Sequence, residues 1–146
     1  MTFSIGDIKC IDSLQFMPSS LEQLAKSLLS NTKDDKYENY NIMKKYFNKE
    51  ELELVCQKGY YPYEFMDNVD KFEHVGLPSK ESFYSKVKLD GISDEGYEHT
   101  TNVYNTFNCK KFLDYHLLYL KCDVRLLADV FENFRVTCQA TYKLDP

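Results

Sequence analysis

The 146 residues include no tryptophan, three histidines, five glycines and four prolines. With no repeated unit and no low-complexity tract, no stretch reads as a linker, and the length is one domain's worth at most. No apolar run approaches the roughly 18 residues of a membrane-spanning helix, and no signal-peptide pattern opens the chain. Neither a membrane partner nor secretion is therefore expected. The five cysteines (Cys10, Cys56, Cys109, Cys122 and Cys138) form no CxxC pair, and no histidine stands at ligand spacing from them. That excludes a zinc site of the usual spacing, and the odd count fits free thiols in a reducing compartment. Cationic excess is missing too. A net charge of −5 argues against a free-standing, non-specific nucleic-acid binder. It leaves room for a site that uses carboxylates and divalent cations on a nucleic acid.

What is present is aromatic and helix-forming. The chain is 43% hydrophobic and 15% aromatic, with twelve tyrosines and ten phenylalanines, which is enough to bury a core. Its longest regular stretch runs from Asp114 to Tyr142, DYHLLYLKCDVRLLADVFENFRVTCQATY, and reads as one helix. At 100° per residue, His116, Tyr119, Leu120, Leu126, Leu127, Val130 and Phe134 fall within about 60° of Asp123, on the side expected to be buried. Lys121, Arg125 and Glu132 fall on the opposite, solvated side. An ionised Asp123 amid apolar neighbours costs several kcal/mol unless it is partnered. Tyr119 one turn earlier, a lysine or arginine from elsewhere, or a bound metal ion would each serve.

Upstream, Phe3–Ile5 and Ile8–Cys10 alternate around Gly6-Asp7, the pattern of a two-residue hairpin. Ser19-x-x-Glu22 reads as a capping box, with Leu21, Leu24, Ala25 and Leu28 as the helical stripe behind it. The polar residues 31–41 read as loop. Asn48-x-x-Glu51 opens a second helix with Leu52, Val55 and Cys56 inward and Gly59 closing it. Lys58-Gly-Tyr-Tyr-Pro-Tyr63 reads as extended and residues 67–77 as loop. Further helices are expected over residues 80–87 and 94–107, the latter from Ser93-Asp94-Glu95. The sum is a little sheet, several helices and a long last one.

Three short motifs stand in order along this plan: Asp12-Ser13-Leu14 with Met17-Pro18, Lys58-Gly-x-x-x-Tyr63, and Tyr119-x-x-x-Asp123. A lone YxxxD is weak, but the ordered trio resembles the proofreading domain of the protein-primed family B DNA polymerases of phages, linear plasmids and large DNA transposons. The resemblance covers nearly the whole chain, including Tyr142 to Pro146. It implies an α/β fold, a ribonuclease H-like 3′–5′ exonuclease domain. Asp123 would be a metal ligand, Tyr119 would orient the attacking water, and Lys58 would steady the charge on the phosphate. Ser13, Leu14 and Tyr63 would hold the frayed single-stranded primer terminus, the tyrosine by base stacking. The cofactors would be two Mg²⁺ or Mn²⁺ ions, held by carboxylates and bracketing the attacking and leaving oxygens. A terminal protein would serve as primer in the complete enzyme.

The departures are as specific as the matches. No DxE and no Asn followed by (F/Y)D precede Asp12, and no YxDTDS follows. Residues 1–146 therefore resemble the C-terminal part of such an exonuclease domain. Alone, it is expected to be inactive. The same residues also admit a plainer function, a small non-catalytic helical interaction module. His116 shares the face of Asp123, but the family pattern assigns it no role. A core histidine is the expectation for it.

Overall fold

The computed structural model describes residues 2–30 and 34–146. Thr2–Ile5 (β1) and Ile8–Ile11 (β2) pair antiparallel with Ile5 opposite Ile8. Gly6 takes the positive φ, +58°, that the first loop position of a two-residue hairpin demands. Asp12 caps a short 3₁₀ turn, Ser13–Gln15, by accepting from the Leu14 amide at 3.1 Å. Helix α1 (Leu21–Leu28) follows and buries Ala25 and Leu28. Its capping box is Ser20 with Gln23, one residue later than the Ser19 and Glu22 expected. The shift frees Glu22 to pair with Lys26 at 2.7 Å, an i,i+4 contact.

Helix α2 (Lys49–Val55) has the capping box Asn48–Glu51 that the sequence foretells, both bonds at 2.9 Å. It turns Leu52 and Val55 inward, with Cys56 buried just behind. Gly59 does not close it, since Cys56 is the cap. Residues 67–77 contain a 3₁₀ turn, Val69–Glu73. The helix expected over 80–87 stops as a 3₁₀ turn at Lys80–Phe83. Tyr84 turns extended, and the Ser85 amide donates to Asp90 O at 2.8 Å, diverting the chain into a bridge. Four residues rich in aromatics and serine lack the propensity to extend a costly first turn. Helix α3 (Asp94–Thr106) starts as expected, with Ser93 Oγ accepting from Gly96 N at 3.0 Å.

Helix α4 (Phe112–Tyr142) spans 31 residues and organises the rest. It begins two residues ahead of the expected start, because Asp114 reaches back to accept from the Lys110 and Lys111 amides at 2.8 and 3.0 Å. One core cluster joins α1, α2 and the middle of α4 through Ala25, Tyr40, Met43, Leu52 and Leu126. A second gathers Val103, Tyr104, Phe112 and Tyr115, with Tyr61, Phe65 and Phe72 packed against it. The described residues are thus helix-rich, with one small antiparallel sheet and four α-helices.

The buried side of α4 matches the one expected only in part: Leu126 and Val130 are buried and Phe134 packs against the core, but the covered line is shifted. Its fully covered residues are Phe112, Tyr115, Cys122, Leu126, Asp129 and Val130. That line is rotated from the one through Asp123 by roughly 65°, about two-thirds of one residue's turn. Leu120 and Leu127, expected inside, are exposed, as are Leu117 and Val124. Arg125, expected in solvent, lies over the Tyr46 ring at 3.7 Å. The carboxylate that is shut in belongs to Asp129, 1% exposed. It accepts from the Ile42 and Met43 amides at 2.7 and 2.9 Å. The 3₁₀ turn Met43–Lys45 has no side-chain cap of its own, and Asp129 supplies one from across the core. Asn133 completes the clamp, donating to Asn39 O at 2.9 Å.

Candidate functional site

After α2 the chain runs without regular structure through Lys58 to Pro62 and crosses α4 at Tyr119. Gly59 makes the crossing close, since a Cβ there would come within 3.2 Å of the Tyr119 ring. Pro62 is buried, while Tyr63 emerges with 65% of its surface exposed. Its hydroxyl meets that of Tyr119 at 2.9 Å. Behind Tyr119 lies a small cavity of about 30 Å³, bounded by Gly59, Tyr60, His99, Thr100 and Cys122.

Asp123, one turn beyond Tyr119, is half-buried. Burial raises its carboxyl above the ordinary value, while a hydrogen bond from Tyr119 and the positive charge of Lys58 pull the other way. Burial, the bond with Tyr63 and the neighbouring Asp123 push the Tyr119 hydroxyl far up, so it stays protonated and able to donate. Three of the six residues singled out from sequence therefore come together, Tyr63, Tyr119 and Asp123, and Lys58 stands next to Gly59, close enough for its charge to act on Asp123. The other two lie apart from these, on the 3₁₀ turn Ser13–Gln15. Ser13 lines an open groove against Val124, Leu127 and Phe131, and Leu14 is 59% exposed.

Two residues left out of that set belong to the cluster. Tyr61 donates to His116 or accepts from it, hydroxyl to Nδ1, at 2.7 Å. The Tyr61 ring also stacks 4.8 Å from that of Tyr119 and 5.0 Å from that of Tyr63. Burial pushes the Tyr61 hydroxyl up to about 12 and lowers the His116 imidazole, so both are neutral at neutral pH. The signal for His116 was its position one turn before Tyr119. For Tyr61 only the density of aromatics in its segment hinted at a role.

As a metal site the cluster is incomplete. Asp123 brings one hard oxygen donor, and among the described residues no three His, Cys, Asp or Glu side chains group so as to hold an ion. These residues by themselves do not fit a two-cation centre. What the arrangement can do is present an exposed aromatic face, a cation and a protonated hydroxyl beside a carboxylate. Among the described residues, no helix is long and apolar enough to cross a membrane. Compared with protein-family models, curated proteins and solved structures, the chain finds no match.

Proposed function

We propose that this chain contributes the strand-holding side of a 3′–5′ exonuclease site in a protein-primed family B DNA polymerase, built on a ribonuclease H-like domain. The single observation carrying this reading is the meeting of Tyr63 with Tyr119, hydroxyl to hydroxyl at 2.9 Å, with Asp123 one turn on and the charge of Lys58 acting on it. Two motifs far apart in sequence, each resembling the family's on its own, meet at Tyr119. In this reading Tyr63 stacks on an unpaired base, Lys58 neutralises a phosphate, and Ser13 and Leu14 touch the strand further along α4. Tyr119 donates toward the scissile phosphate or its water, and Asp123 is one ligand of a divalent-cation centre. Mg²⁺ or Mn²⁺ would need the carboxylates of the other exonuclease motifs as well.

Titrating the chain with labelled oligothymidylate, followed by anisotropy at two salt concentrations, tests this reading. Weak binding that falls steeply with salt, and is lost in Tyr63→Ala and reduced in Lys58→Ala, is expected. Tight, salt-insensitive binding, or none in the unmodified chain, refutes it.

The exposed line Leu117, Leu120, Val124 and Leu127 on α4 favours a second reading, the non-catalytic interaction module. That module has no use for Tyr63 and Lys58 on DNA, so the same titration separates the two.

A further inference from the structure

The two motif segments are fastened to each other twice. Around Pro62 the chain turns tightly, the Tyr63 amide donating to Tyr61 O at 3.1 Å, and the two tyrosine rings meet at 5.0 Å. On α4 His116 and Tyr119 are three apart and share a side. The outer fastening is Tyr63 to Tyr119, hydroxyl to hydroxyl at 2.9 Å, and the inner one is Tyr61 to His116 at 2.7 Å. Tyr61 is the hub, because its ring also meets Phe112, at 5.7 Å. His116 is held in turn by the Phe72 ring, 4.8 Å away on the 3₁₀ turn Val69–Glu73.

An exposed tyrosine on an irregular segment samples several rotamers, and each must be given up when a base stacks on it. Here one edge of Tyr63 is tied through its hydroxyl and another abuts Tyr61 in a T-shaped contact, leaving most of the ring open. We infer, resting on the proofreading reading above, that His116 and Tyr61 are positioning residues. They hold Tyr63 and Tyr119 as a joined pair, so that Tyr63 is a preset platform for an unpaired nucleobase and Tyr119 stays aimed beside Asp123. Neither touches the strand. Their contribution is the ordering cost that DNA binding no longer carries.

The test uses the chain itself and a short oligothymidylate at low salt, with binding followed by NMR and folding by thermal melts. Tyr61→Phe keeps the ring and removes only the hydroxyl, so it folds even where His116→Leu does not. Tyr61→Phe and His116→Leu are expected to weaken binding by about three- to tenfold with unchanged melting, the cost of ordering one or two side chains. His116→Gln, whose amide can still take the Tyr61 hydrogen bond, is expected to restore most of it. A merely structural pair would move the melt and leave binding by the folded protein untouched. Unchanged binding in Tyr61→Phe and His116→Leu, with Tyr63→Ala still weakened, overturns the positioning role and leaves the strand-holding reading standing. Failure of Tyr63→Ala to weaken binding overturns that reading itself.

Discussion

Two carboxylates on α4 divide the work that one was expected to do. Asp129 is closed in and bonded to two backbone amides, whereas Asp123 is half-buried among a tyrosine, a lysine and solvent. Asp129→Ala leaves both amides without an acceptor and is expected to cost about 3–5 kcal/mol in urea melts. Asp123→Asn removes a desolvated charge whose partners are tolerant of its loss, and is expected to leave stability unchanged or slightly raised. The two variants share a helix, so a reversed order would show that Asp123 is there for the fold. For Asp123 the pH dependence has a definite sign. Burial holds the Asp123 carboxyl above its ordinary 3.8, so the folded chain binds that proton more readily than the unfolded one. Its contribution to stability therefore rises as pH falls through the window just above 3.8, and Asp123→Asn should remove that rise.

At the scale of elements, short-range signals located the helices and long-range contacts set how they face. Asn48 and Ser93 each bond an amide three residues on, and both helices start where those residues stand. Ser19 and Ser20 are adjacent, each three residues from a Glu or Gln, so spacing alone could not choose between them. Ser20→Ala should cost about 1 kcal/mol by chemical denaturation and Ser19→Ala close to nothing. The rotation of α4 was harder. Leucines lie on two of its sides, and counting them placed Leu120 and Leu127 inside. The side that is buried carries Tyr115, Cys122 and Asp129, residues a hydrophobic count scores low. Leu126→Ala, at a fully buried position, should cost about 2–5 kcal/mol, and Leu120→Ala under 1 kcal/mol. Equal losses would mean that α4 is turned otherwise than described here.

For the whole molecule, the candidate site lies at the meeting of the segment after α2 with α4, beside a helix face that carries exposed apolar residues. Net charge is −5, so in the proposed reading cationic help for a DNA strand would be local, chiefly from Lys58. With one hard ligand at the cluster, the purified chain given Mg²⁺ or Mn²⁺ and labelled single-stranded DNA is expected to show no 3′ degradation. Reproducible degradation that disappears in Asp123→Asn would reveal ligands among residues not assigned to the site.

By itself the sequence determined what depends on near neighbours. The Gly6-Asp7 hairpin, the Asn48 and Ser93 helix starts and the extent of α4 all follow from spacings of a few residues, where backbone geometry leaves little choice. The resemblance carried by its three ordered motifs also brought Lys58, Tyr63, Tyr119 and Asp123 forward as candidates. Only the tertiary structure decided which side of α4 is covered, that Asp129 caps a turn 86 residues away, and that Tyr61 and His116 bind the two motif segments together. The physical reason is that a helical period of 3.6 residues determines which side chains share a face, but not which face the rest of the chain will cover. That choice is made by packing and by hydrogen bonds between distant residues, and a single polar atom such as the Asp129 carboxylate can outweigh two exposed leucines in making it.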